Sequence, residues 1–236
     1  MLIAATADIH SPLFYDLFIK ALDSLTVKPD LFLLAGDMIN QGKVEEMEKI
    51  SNALFGKISC PIIACFGNNE YEELREEIKQ KYRNIRFLDD QSIELNIKGV
   101  SVGIFGSSGS LDVPTTWQRA HIPNIERIYR LRYELAGRHL ERMRTKVKIL
   151  LLHYAPTYKT LEGENPRFFG SMGCIKYENI LINQKPTLAI HGHAHKGTRL
   201  AWVNTTPVFN VALPLNKRIV VIDLEKDLKP GIKKFV

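Results

Sequence analysis

His193 and His195 stand two residues apart just after the apolar run Leu188-Ala189-Ile190-His191, with Gly192 between the run and the pair. A run of this length reads as a short buried strand, and the glycine marks a sharp exit from it. Two imidazoles on such a loop lie close together and suit a transition-metal ion. Alone, the pair fits a histidine-rich polar turn as well. Four further apolar runs end the same way, in Asp8 and His10, in Asp37, in Asn68 and in His153. Taken singly, Asp8 and Asp37 also fit helix caps, Asn68 a turn residue, and His153 a core imidazole satisfied by a carbonyl. Together they place carboxylate, amide and imidazole groups beyond the carboxyl ends of five strands, where ligands bind in open α/β sheets.

The elements that position these groups follow from the hydropathy pattern. Residues 2–6, 31–35 and 61–66 are continuous apolar runs, as expected of parallel strands covered on both faces. Helical periodicity lies between them: a helix opened by Ser11-Pro12, one over 43–55 and one over 71–82. The pattern then alternates over 92–97 and continues over 101–105 around Gly99, which reads as an antiparallel hairpin. Gly106-Ser107-Ser108-Gly109-Ser110 reads as a flexible loop. A long helical stretch over 125–145 carries Gly137 as a candidate break, and 148–152 is a strand that ends at His153. Residues 154–173, rich in proline and glycine, form a loop long enough to act as a lid over a site. A helix over 175–182 precedes the His193 strand, and three strand candidates follow at 198–203, 207–211 and 218–224. The expected architecture is α/β of the α+β type, two mixed sheets in a single domain over residues 1–236.

Bulk properties agree with a globular chain that buries a full core. The apolar start at Leu2 has no basic leader and is too short for a membrane span, so a cytoplasmic protein without membrane contact is expected. Cys60, Cys65 and Cys174 form no C-x-x-C and read as reduced, packed thiols. The net charge is +6, and residues 118–148 carry nine basic against three acidic side chains, so the excess is local. Such a surface suits an acidic substrate, and it also fits a solvated helix face. Nucleic acid is a weaker reading, because no aromatic platform interleaves with the arginines. His191, His121 and His139 read as residues without a metal role, the last two at the surface. Oligomeric state has no signature in the sequence.

Asp8-x-His10, Gly36-Asp37, Gly67-Asn68-x-Glu70, His153 and Gly192-His193-x-His195 resemble, in order and in position after strands, the motifs of the calcineurin-like metallophosphoesterases. The resemblance implies two sheets packed face to face with helices outside, a four-layer sandwich. It implies a binuclear centre with Asp8, His10 and His195 on one metal and Asn68, His153 and His193 on the other. Asp37 would bridge them. It also implies hydrolysis of small anionic phosphate esters, by a phosphodiesterase or broad-specificity phosphatase, through a hydroxide shared by the two cations. A mixed nitrogen and oxygen donor set accepts manganese, iron, zinc or nickel, with manganese favoured.

The pattern departs from the family at one residue. Where the resemblance calls for Gly-Asn-His-Glu, this chain has Gly67-Asn68-Asn69-Glu70. Asn69 can donate a hydrogen bond but cannot transfer a proton at neutral pH, and general acid catalysis is typically worth about 10²–10⁴-fold. Asn69 is therefore expected to position phosphate, with solvent or Tyr154 supplying the proton, and turnover is expected to favour phenolic leaving groups. The same departure motivates two alternatives, a catalytically weak family member acting as a binding or scaffold protein, or a nuclease. Glu70 reads either as an orienting group for its neighbours or as a helix cap.

Overall fold

The computed structural model describes residues 1–228. The first sheet has the order β11-β1-β2-β3-β4, built from β1 (Leu2–Thr6), β2 (Leu31–Ala35), β3 (Ile62–Cys65), β4 (Arg86–Leu88) and β11 (Val220–Asp223). Its first four strands in sequence run parallel, and β11 joins the free edge of β1 antiparallel. The second sheet has the order β5-β6-β7-β8-β10-β9, from β5 (Gln91–Ile97), β6 (Val100–Ser107), β7 (Val147–Leu152), β8 (Leu188–His191), β9 (Leu200–Val203) and β10 (Thr206–Asn210). Hairpins β5-β6 and β9-β10 form its two ends, and β6, β7, β8 and β10 run parallel between them.

Alternation along the central strands makes the layers. In β7, Ile149 and Leu151 join Ile3, Leu33, Ile104 and Ile190 in the core between the sheets. Leu150 and Leu152 face the other way, onto Ala136, Leu140 and Tyr177. Those residues belong to α5 (Ile125–Arg142) and α6 (Tyr177–Gln184), which cover the second sheet. The first sheet is covered by α1 (Tyr15–Asp23) and α2 (Glu46–Phe55), which bury Phe18, Leu22, Ile50 and Leu54. The result is the expected four-layer sandwich. The remaining helices are α3 (Arg75–Lys81), α4 (Thr116–His121) and α7 (Leu213–Asn216). Among the described residues no helix is long and apolar enough to cross a membrane.

Several local expectations change. The first helix begins at Tyr15, and Ser11 does not cap it; its hydroxyl donates to Glu46 Oε2 at 2.7 Å. The helix expected over 43–55 begins at Glu46, and the one over 71–82 divides into a short 3₁₀ turn and α3. Helix α5 passes through Gly137 unbroken and ends at Arg142, because packing of Ala136 and Leu140 outweighs a glycine's cost of about 1 kcal/mol. Ser107, Ser108 and Ser110 are buried rather than in a flexible loop. Their hydroxyls are taken up by Asp90, Arg75 and the Tyr129 carbonyl. His139 is half-buried, with Nδ1 2.8 Å from Ser92 Oγ and its ring against Phe105.

Candidate metal centre

The parallel strands of both sheets end at one edge, and the loops that follow are laced together by main-chain bonds. Asp8 N–H donates to Gly36 O and His10 N–H to Asp37 O, each at 3.0 Å, while Gly192 N–H donates to His153 O at 3.1 Å. Asp8, His10, Asp37 and His193 all lie in the left-handed region, with φ of 59°, 44°, 54° and 66°. Residues other than glycine accept this conformation only where the surroundings impose it, and such strain concentrates at functional sites.

The strained loops bring the donors into two groups. Asp8, His10 and His195 each present a ligand atom within 4.8 Å of the others, and so do Asp37, His153 and His193. Asp37 Oδ2 lies between the groups, 3.7 Å from His10 Nε2 and 3.5 Å from His153 Nε2. Asn68 Oδ1 lies 3.1 Å from His153 Nε2. Neither aspartate caps a helix; Asp8 Oδ2 accepts the His193 N–H at 2.8 Å. His191 stays outside, with its ring nitrogens 2.7 Å from Gly192 O and 2.8 Å from Thr160 Oγ1.

A divalent cation pair fits these residues. Among the described residues Asp8 Oδ1 is buried without a hydrogen-bond partner, although His195 Nε2 stands only 3.2 Å away. A buried carboxylate oxygen is costly unless something positive meets it. Burial, together with the neighbouring Asp8 charge, pushes Asp37 up to about 6. Burial and the adjacent His153 hold His193 down at about 3, and burial lowers His10 and His153 as well. Neutral imidazoles are the form that ligates metal.

Glu70 explains how the two aspartate-bearing loops hold together, a role left open between orientation and capping by the sequence. Its carboxylate is 2% exposed and accepts four backbone N–H groups, from Asp37, Met38, Ile39 and Gly67, at 2.6–3.1 Å. Asn69 also turns to Asp37, donating from its backbone to Oδ1 and from its side chain to Oδ2, both at 2.7 Å. The remaining signal that sequence reasoning missed is the pair Asp89-Asp90, which follows β4 and salt-bridges Arg75 and Arg132.

The centre opens into a pocket of about 920 Å³. Asn68, Asn69 and His193 line it, as do the apolar side chains of Trp117, Ile122 and Ile125. Tyr154 lines it too, its ring edge-on to His193 at 4.9 Å and its hydroxyl accepting from Gln118 Nε2 at 3.3 Å. Of the basic residues in the stretch 118–148, Arg132 is the one that lines this pocket among the described residues.

The family model described as calcineurin-like phosphoesterase matches residues 1–197, so the chain belongs to that family of phosphoric ester hydrolases. No curated protein matches the chain in sequence. Among solved structures, the phosphopantetheinyl hydrolase PptH from Mycobacterium tuberculosis is similar at 13% identity over 97% of this chain and 98% of its own, with a TM-score of 0.71. The Thermus thermophilus sulfate thiohydrolase SoxB is similar at 10% identity over 94% of this chain and 53% of its own, with a TM-score of 0.58. These likenesses show a shared fold.

Proposed function

We propose that the chain is a binuclear metal-dependent phosphoesterase that hydrolyses small anionic phosphate esters, as a phosphodiesterase or broad-specificity phosphatase. The observation that carries this reading is the pair of donor groups meeting at Asp37, with a buried Asp8 oxygen left for a cation. Asp8, His10 and His195 would hold one metal, and Asn68, His153 and His193 the other, with Asp37 shared. Manganese leads, because carboxylate and amide oxygens suit it and imidazole admits it. Two bound divalent cations supply Lewis-acid charge to phosphoryl oxygens and acidify a water.

The chain's own residues prepare the rest. Glu70 fixes the loops of Asp37 and Gly67 through four N–H groups, which holds the backbone that carries the Asp37 carboxylate. Asn69 grips both Asp37 oxygens and borders the pocket, where its amide can orient a phosphate. Neither Asn69 nor Tyr154 is an effective acid here: an amide holds no transferable proton, and burial pushes the Tyr154 hydroxyl up to about 12. Solvent therefore protonates the leaving group, and phenolic esters turn over faster than alkyl ones. Donors drawn from both sheets support one domain over residues 1–236, and three unbridged cysteines support a cytoplasmic setting.

Hydrolysis of mono- and bis-p-nitrophenyl phosphate with added manganese tests the reading. Activity that disappears with a chelator and in Asp37→Ala supports it. A chain that holds manganese yet cleaves neither ester is the scaffold alternative.

A further inference from the structure

Arg132, on α5, carries a guanidinium that the fold leaves mostly unengaged. Its Nε donates to Asp90 Oδ2 at 3.2 Å, and its side chain is only 11% exposed. Arginine has five N–H donors, and the four on the terminal nitrogens have no hydrogen-bond partner among the described residues. Arg75, also in the pocket wall, is the contrast. Its three nitrogens reach Glu70 O, Asp89 Oδ1, Gly67 O and Ser108 Oγ, which ties it into the loops.

The one partner of Arg132 is itself held. Asp90 has a left-handed backbone, φ 56°, and its other carboxylate oxygen accepts the Ser107 hydroxyl. The guanidinium is thus braced from behind, with free donors on a residue that borders the pocket. The terminal nitrogens are not among the buried atoms left without a partner, so the fork is open to an anion, and its planar donors match carboxylate or phosphate bidentately. Tyr154, whose ring packs edge-on to His193, lines the same pocket as Arg132. Among the described residues Arg132 makes no hydrogen bond or ion pair with any of the candidate metal donors, so an anion held by it is a group other than the one those donors face. The same pocket is lined by the apolar Trp117, Ile122 and Ile125.

We propose that Arg132 is a specificity-determining residue that binds a second anionic group of the substrate. The substrate class is a phosphate ester whose body lies along the α4–α5 wall and bears a further phosphate or carboxylate. This rests on the phosphoesterase reading above, which supplies the site of the scissile phosphate.

Titration calorimetry on the manganese-loaded chain tests it with stable phosphonates. Hexylphosphonate is compared with 6-phosphonohexanoate and hexane-1,6-bisphosphonate, and propylphosphonate with 3-phosphonopropionate. A charge-assisted pair gives the doubly anionic ligand of suitable length a roughly ten- to hundredfold preference over its alkyl partner. The carboxylate and phosphonate arms show which anion Arg132 prefers. In Arg132→Gln the preference falls to near one, and Arg132→Lys, which keeps the charge without the fork, restores part of it and serves if the glutamine variant does not fold. A preference near one in the wild type at both lengths overturns the proposal, as does a preference that survives unchanged in Arg132→Gln. Failure of the underlying reading shows separately, as a wild-type manganese-loaded chain that hydrolyses neither mono- nor bis-p-nitrophenyl phosphate.

Discussion

Asn69 holds Asp37 by both carboxylate oxygens, its side-chain amide on Oδ2 and its backbone N–H on Oδ1, each at 2.7 Å. The residue that stands where the family resemblance calls for histidine is thereby tied to the carboxylate shared by the two donor groups.

Asn69→His restores a group able to transfer a proton. Turnover of an alkyl phosphate ester is expected to rise about tenfold or more, toward the range general acids contribute. Turnover of a p-nitrophenyl ester, whose leaving group needs no proton, is expected to stay flat or fall. Steady-state kcat on the two substrates reads the difference, and equal changes on both would refute the assignment of leaving-group protonation to solvent.

Gly67 and Gly192 mark where main chain must approach the aspartates. A methyl group built on Gly67 falls onto Asp37 Oδ1, and one on Gly192 meets Asp8 Oδ2 and Ala7 Cβ at 2.5 Å. Gly67→Ala and Gly192→Ala are each expected to cost roughly 1–3 kcal/mol of stability, as overpacking does. Each should also lower manganese affinity; a chain that melts as before and binds manganese as before would contradict the geometry.

Glu70→Gln removes a carboxylate that four backbone donors share. A glutamine has one acceptor oxygen, and its amide N–H₂ faces donors. Urea denaturation of the metal-free chain is expected to show a loss on the order of 3 kcal/mol, since hydrogen bonds to charged groups are worth ~1.5–3 kcal/mol each. A change under about 0.5 kcal/mol, the size of an ordinary surface substitution, would show that Glu70 does not organise these loops.

Metal and pH are linked through Asp37, which faces Asp8, His10, His153 and Glu70. Burial and Asp8 raise its folded-state pKa to about 6, above the ~3.9 of an unfolded aspartate. Between these values Asp37 keeps a proton in the folded chain that it has lost in the unfolded one, so its own contribution to metal-free stability falls as pH rises from about 4 to 6, while His193, held down at about 3, contributes in the opposite sense. Manganese at about 100 times its Kd adds ~2.7 kcal/mol near neutral pH. Thermal melts with and without manganese should show a gap that widens with pH in the wild type and closes in Asp37→Ala.

The candidate donors were legible in the sequence because each sits just past an apolar run, and a strand end constrains where the next side chain can go. The hairpins and parallel strands were legible for the same reason. Strand β4 was not, being three residues long with Arg86 exposed. The seating of β10 between β8 and β9 and the return of β11 to β1 depend on pairing across the whole chain, which local periodicity does not encode. Four relationships needed coordinates: Glu70 with its four donors, Asn69 with Asp37, Asp89 with Arg75, and Asp90 with Arg132. In each, one partner is a common polar residue whose type alone fits a cap or a solvated face.

The central claim is that Asp8, His10, Asp37, Asn68, His153, His193 and His195 hold two cations. Metal analysis of the purified chain after manganese loading and desalting tests it most directly. Two manganese ions per chain in the wild type, falling to one or fewer in Asp37→Ala and in His193→Ala, is the expected result. A wild-type chain that retains no metal, or a content unchanged by either substitution, contradicts it.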